Sequence, residues 1–192
     1  MATLRERRHR ETRQALVDAA FRLFAERGFV DVTMDEIARA AGVSRSTAYR
    51  RFPTKEDVVL EVPRRWLAAY DLAVDALPED TTLPDAIRAA CLAVADHIDT
   101  ETATVLAAYA VLEQAPSLQS SGMASRAWTE RIVTMIDRFG PGDVAPEVSG
   151  IVAGAYLGAL DAMMQRWADD GGTGSVTDAT ERLVDRLETI LP

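Results

Sequence analysis

The chain reads as an all-α protein of about nine helices, and three observations predict it. Apolar residues recur three and four apart along most of its 192 residues, the spacing of one helix face. The segments marked this way open on Ser, Thr or Pro and close on Gly or Pro, the residues that start and stop helices. No run of useful length alternates apolar and polar residues as a strand must, and no repeat of solenoid period occurs.

Each element follows from its residues. Leu16, Ala19, Ala20, Leu23 and Phe24 form the stripe of a first helix, and Gly28 ends it. A second helix opens at Thr33 with Glu36 three residues on, the form of a capping box, and stops at Gly42. Ser44 caps a short third helix with Ala48 and Phe52 inward, and Pro53 halts it. Thr54 and Asp57 start a fourth helix reaching about Leu77. Pro63 inside it removes a backbone bond and predicts a kink or a break. Pro84 suits the first turn of a fifth helix carrying Ile87, Ala90, Cys91, Val94 and Ile98. A sixth runs over roughly 101–114, and a seventh places Trp128, Ile132, Met135, Ile136 and Phe139 on one side. The eighth runs from near Pro146 to Asp170, and glycines at 171, 172 and 174 separate it from a ninth that Ser175 caps.

Composition narrows the class. Hydrophobic residues make up 48% and charged residues 27%, the balance of a globular protein. No stretch is apolar enough to span a membrane, and the charged start leads into no signal-peptide core, so a soluble cytoplasmic protein is expected. One cysteine, Cys91, excludes a disulfide framework. With only His9 and His97 it also excludes a Cys/His zinc site, and no metal or other cofactor is expected. The net charge of −9 is unevenly spread: residues 1–52 carry +4 and residues 53–192 carry −13. A basic head on an acidic body suggests that the head alone meets a polyanion.

The second and third helices, joined by Gly42 and Val43, have the dimensions of a helix-turn-helix, whose second helix enters the major groove of DNA. With Ala48 and Phe52 inward, the third helix shows Arg45, Ser46, Thr47, Tyr49 and Arg50 outward. Arginine offers a two-donor fork to guanine, and Ser and Thr offer adaptable hydroxyls. Tyr49 can donate to a phosphate. Lys55 lies in the first turn of the fourth helix, where a cation opposes the helix dipole. A phosphate docked there turns that cost into a contact, and Thr33 can serve similarly.

Residues 33–56, TMDEIARAAGVSRSTAYRRFPTKE, with Ala19, Ala20, Leu23, Phe24, Gly28 and Phe29 before them, resemble the signature of the TetR family of transcriptional regulators. The likeness is dense over about residues 10–58. Beyond that it rests on helix count and on the look of the last two helices. It implies a homodimeric regulator, in most members a repressor, with a DNA-binding head (1–53) and a ligand-binding and dimerisation body (54–192). By position it implies that Arg45, Ser46, Thr47 and Tyr49 face bases or adjacent phosphates. It likewise implies that Thr33, Tyr49, Arg50, Arg51 and Lys55 hold the backbone. The expected partners are double-stranded DNA with a pseudo-palindromic operator, a second copy of the chain, and a small apolar or amphipathic effector that releases the operator. No membrane partner is expected. The basic run Arg5, Arg7, Arg8 and Arg10 is either an arm for the minor groove or a solvated tail.

In the body, Gly150, Gly154 and Gly158 share one face of the eighth helix. Three interior glycines cost a helix about 1 kcal/mol each, so close packing should offset them. That packing is either across a dimer interface or against the protein's own core. The resemblance assigns dimerisation to the last two helices, which favours the interface and adds Leu183 and Leu187 to it. The resemblance also implies a pocket among helices five to eight. Candidate lining residues are Trp66, Tyr70, Tyr109, Met123, Trp128 and Tyr156, large apolar side chains most of which carry a polar tip. His97, beside Asp96 and Asp99, shares a helix face with neither and suggests no metal. Cys91 is expected to pack as a small apolar residue. An enzyme needs a nucleophile–base pair, a metal cluster or a phosphate loop, and the sequence offers none.

Overall fold

The computed structural model describes residues 4–115, 118, 126–142 and 145–190, and their regular structure is ten α-helices with no strand. These are α1 (Leu4–Arg27), α2 (Met34–Ala40), α3 (Arg45–Arg51), α4 (Lys55–Val59), α5 (Glu61–Asp75), α6 (Leu83–Thr100), α7 (Thr102–Gln114), α8 (Arg126–Phe139), α9 (Pro146–Asp169) and α10 (Val176–Ile190). They gather into two compact units. One holds Met1–Val62 with Ala103–Gln119, and the other holds Pro63–Thr102 with Ser120–Pro192.

The fourth helix expected from the sequence is two helices, and Pro63 explains the division. A proline has no N–H for the carbonyl four residues back, which here is that of Val59, and its ring crowds that carbonyl. The chain therefore ends α4 at Val59, with the Leu60 N–H returning to the Glu56 carbonyl at 2.9 Å. It restarts at Glu61, so Pro63 falls in the first turn of α5, where backbone N–H groups have no helical partner anyway.

In the first unit, Leu16, Val17, Ala20 and Phe24 of α1 are buried with Val32, Ile37, Ala48, Phe52, Val58 and Val62. Gly28 turns the chain out of α1 at φ +80, and Phe24 meets the Phe21 and Phe29 rings edge-on at 5.8 and 5.1 Å. Helix α7 belongs to this unit and buries Val105, Ala108 and Val111. Its Gln114 side chain accepts the Phe29 N–H at 3.1 Å.

In the second unit α6 packs along α10 and against α8, and α9 packs against α8 and α10. One side chain organises an end of this arrangement. Asp99 of α6 accepts the Val176 and Thr177 N–H groups at 2.7 and 3.0 Å and the Ser175 hydroxyl at 2.7 Å. A residue 76 positions earlier thus joins Ser175 in capping α10. Burial alone would raise its carboxyl pKa, but the three hydrogen bonds outweigh that and hold it below the ordinary value. Arg131 of α8 grips Asp71 of α5 with two nitrogens at 2.6 and 2.9 Å.

Candidate nucleic-acid interface and effector cavity

The turn between α2 and α3 is fixed by backbone chemistry. The Val43 N–H reaches the Ala38 carbonyl at 3.0 Å and the Gly42 N–H reaches the Arg39 carbonyl at 3.2 Å. That pair of bonds needs a left-handed residue at its centre, and Gly42 supplies it at φ +68. Ser44 then starts α3 by accepting the Thr47 N–H at 3.2 Å. Ala48 and Phe52 are wholly buried, so the rotation of α3 is set and its other face is turned to solvent.

On that outer face Arg45, Ser46, Tyr49 and Arg50 are exposed, while Thr47 is half-buried and receives a hydrogen bond from the Ser44 hydroxyl at 2.9 Å. Arg45 is held in place before any DNA arrives. Its Nε lies 3.1 Å from the Asp35 carboxylate of α2, and its guanidinium lies 5.4 Å from the centre of the Tyr49 ring. With 72% of the Arg45 side chain exposed, this ion pair contributes little stability and can be exchanged for a base or a phosphate.

The flanking residues divide. Thr33 is exposed at the start of α2, but its capping box is closed: the Glu36 carboxylate accepts the Thr33 N–H at 2.9 Å and its hydroxyl at 2.7 Å. Arg27 binds the same carboxylate at 2.8 Å. The Arg27 bond first, then those from Thr33, lower the Glu36 carboxyl to about 2. Arg51 is half-buried. Its guanidinium meets Nδ1 of His9 at 3.0 Å, and its carbonyl accepts from Arg13 at 3.4 Å.

Lys55, expected to hold the DNA backbone, is engaged within the chain. Its ammonium donates to the carbonyls of Phe29, Val30 and Val32 at 2.6, 3.0 and 3.0 Å and sits 4.4 Å from the centre of the Phe29 ring. All three donors are committed to the loop between α1 and α2. The helix dipole drew attention to Lys55 in the sequence, but its acceptors are backbone carbonyls that no residue pattern displays.

The second unit encloses a narrow apolar slot with about 40 Å³ of room for a water-sized occupant. Of the residues expected at a pocket, Tyr70, Trp128 and Tyr156 line it. Trp66 is buried but stands outside its wall. Tyr109 lies on α7, in the first unit, and takes no part in the lining. Met123 falls outside the described residues. Met163, Met164 and Thr180, to which no sequence pattern pointed, also line it. Tyr70 meets Trp128 edge-on at 5.7 Å and donates its hydroxyl to the Arg131 carbonyl at 3.2 Å. The Trp128 indole N–H is buried with no hydrogen-bond partner among the described residues. Burial pushes the Cys91 thiol in the wall up to about 12, so it stays protonated and unreactive. Among the described residues no cluster of His, Cys, Asp and Glu could hold a metal ion.

On helix α9, Gly154 and Gly158 are exposed and Gly150 is half-buried. A methyl group added at Gly150, Gly154 or Gly158 would touch nothing within 4 Å among the described residues. Of the two readings of that stripe, packing against the protein's own core finds no described contact. Val148 and Ile151, 49% and 71% exposed, continue the same helix as apolar surface. Leu183 and Leu187 on α10 are half-buried.

A helix-turn-helix with a polar, arginine-bearing outer face, carried in one chain with a second helical unit, defines a class of DNA-binding regulators. The family profile for bacterial regulatory proteins of the tetR family matches residues 16–62, and that for the MftR C-terminal domain matches residues 81–192. The chain belongs to the TetR family of DNA-binding transcriptional regulators. It is 33% identical over 174 residues to MftR of Mycobacterium tuberculosis, named for the regulation of mycofactocin biosynthesis, covering 90% of this chain and 87% of that one. Its fold matches that of FadR from Thermus thermophilus, solved with lauroyl-CoA, at a TM-score of 0.62 and 24% identity over 91% of this chain and 92% of that one. FadR from Bacillus subtilis, solved with stearoyl-CoA, matches at a TM-score of 0.62 and 13% identity, covering 91% and 96%. No helix among the described residues is long and apolar enough to cross a membrane.

Proposed function

We propose that this chain acts in the cytoplasm as a homodimeric repressor that grips a pseudo-palindromic operator and lets go when an acyl-chain ligand enters its slot. The observation that carries the reading is the outer face of α3. Arg45, pre-oriented by Asp35 and Tyr49, reads base edges with Ser46 and Thr47, while Tyr49, Arg50 and Arg51 hold adjacent phosphates. Thr33 adds a phosphate contact if its hydroxyl turns from Glu36. Lys55 serves by fixing the loop before α2. Two such helices, presented by a dimer built on α9 and α10, would lie about one helical turn of DNA apart, roughly 34–36 Å.

The effector class follows from the slot. Its walls are aliphatic, aromatic and thioether groups, and the unpaired Trp128 N–H is a donor for one acceptor on an otherwise apolar molecule. A fatty acyl group with its carbonyl has that chemistry, and two proteins of the same fold hold acyl-CoA molecules. At about 40 Å³ the slot is smaller than such a chain. Binding must therefore separate helices that line it, and this links occupancy to conformation.

The test is fluorescence anisotropy with the duplex flanking the protein's own gene and an unrelated duplex, at two salt concentrations. Operator recognition predicts preference for the flanking duplex that survives higher salt and disappears in Arg45→Ala and Tyr49→Ala without loss of fold. Long-chain acyl-CoA should then release the duplex, whereas free CoA should not. Equal binding to both duplexes, lost with salt, overturns the reading.

A further inference from the structure

The N-terminal part of α1 is helical from Leu4, and its described side chains are exposed through Glu11. Arg5, His9 and Arg13 are spaced by four and so share one face of that helix. This face meets the last turn of α3. Arg13 donates to the Arg51 carbonyl at 3.4 Å and lies 4.4 Å from the centre of the Phe52 ring, while Nδ1 of His9 meets the Arg51 guanidinium at 3.0 Å. The result is a patch where α1 and the recognition helix together present Arg5, His9, Arg50 and Arg51.

We infer that Arg5 and His9 of α1 join Arg50 and Arg51 in one site for a DNA phosphate, and that His9 takes up a proton when the phosphate binds. The inference rests on the reading of this unit as an operator-binding head. In the free protein the guanidinium of Arg51 is a donor only, so Nδ1 of His9 must be an unprotonated acceptor. Removal from water first, then the positive charges of Arg51, Arg5 and Arg50, hold the imidazole below its ordinary pKa. Two described carboxylates nearby are otherwise engaged: Glu61 of α5 by Arg13, and Glu11 of α1 by Arg7 at 3.7 Å. Among the described side chains neither of these balances the patch. A phosphodiester supplies that charge, and beside it the imidazolium becomes the favoured form. Arg51 is then freed from His9 and both donate to the phosphate.

The sign follows from linkage. A group protonated more in the complex than in the free protein strengthens binding as pH falls, by up to tenfold per pH unit between its two pKa values. Operator affinity of the full-length protein, measured by anisotropy, should rise about 3- to 10-fold from pH 8.0 to 6.0. The slope of log affinity against log salt should steepen by about one across that range, for one added phosphate contact. His9→Gln should remove both responses and hold the weak affinity of pH 8.0 throughout. His9→Lys, a fixed cation, should bind tightly at both ends. A flat wild-type profile, or a pH response that survives His9→Gln, overturns the inference and leaves the operator reading standing. Failure to prefer the flanking duplex at any pH overturns the operator reading and this site with it.

Discussion

Lys55 donates to the backbone carbonyl of Phe29 at 2.6 Å while its ammonium sits 4.4 Å from the centre of the same residue's ring. One cation thus fixes both the main chain and the side chain of Phe29, and two further carbonyls, of Val30 and Val32, complete its donors. The loop held this way delivers Thr33 to the start of α2. Hydrogen bonds to a charged group contribute about 1.5–3 kcal/mol, more than an exposed ion pair. Lys55→Met keeps the apolar stem but abandons three carbonyls. It should lower stability by about 2 kcal/mol, a shift of about 4–8 °C in Tm for a chain of this size. Below the transition, operator affinity should change less than about twofold and the salt slope not at all. A slope smaller by about one would instead make Lys55 a phosphate contact.

Acid should unpick the start of α2 by a traceable route. Glu36 is held at about 2 by Arg27 and Thr33, against an ordinary value of 4.5. A carboxyl depressed on folding stabilises the native state fully above its unfolded pKa and loses that contribution as pH falls toward its folded one. The window is therefore from about pH 4.5 down to about pH 2. Urea denaturation across that range should show a declining midpoint for the wild type and a shallower decline for Glu36→Gln. Equal slopes would assign the acid sensitivity to other carboxylates, of which Asp99, also held low by its hydrogen bonds at the α10 start, is the next to replace.

The unpaired indole of Trp128 gives a prediction for the slot. Phenylalanine keeps most of the ring and its contact with Tyr70 but has no N–H. If an acyl carbonyl accepts from that N–H, Trp128→Phe should weaken acyl-CoA binding by about 3- to 10-fold, the worth of one neutral hydrogen bond. Operator affinity without effector should be unchanged. Calorimetric titration of the two proteins with the same acyl-CoA reads the difference, and equal affinities would remove Trp128 from recognition.

What the sequence disclosed and what it hid follow from range. The capping boxes of Thr33 and Thr54 and the Gly42 turn are local, closed within three to five residues, and their residue types announce them. The outer face of α3 was legible for the same reason, since Ala48 and Phe52 fix the rotation of seven residues. Pro63 announced a discontinuity, and the chain placed it at Leu60, the residue after the carbonyl that the proline cannot use. The contacts that escaped are long-range: Asp99 to the start of α10, Lys55 to the loop after α1, and His9 to Arg51. Nothing near Asp99 distinguishes it from a solvated carboxylate until its partners 76 to 78 residues away arrive. Tyr109 stands elsewhere than this slot, which its residue type alone does not show. Its polar tip and apolar face suit a pocket, but α7 belongs to the first unit.

The glycines of α9 separate two contributions that usually coincide. Replacing an interior helical glycine by alanine favours the helix by about 1 kcal/mol, unless the added carbon meets something. Among the described residues of this chain it meets nothing at Gly154 or Gly158. Each alanine should therefore stabilise an isolated chain. If a second copy packs on this face, with the exposed Val148 and Ile151 on the same helix, the sign reverses because the added carbon keeps the two helices apart. A leucine at Gly154 enlarges that effect without entering the chain's own core. Sedimentation at micromolar concentration should show the wild type as a dimer and Gly154→Leu as a monomer or a dimer weakened more than tenfold, with helical circular dichroism retained. Operator affinity should fall with dimerisation, since one head alone covers half a palindrome. A Gly154→Leu protein that remains a tight dimer would move the interface off this face of α9.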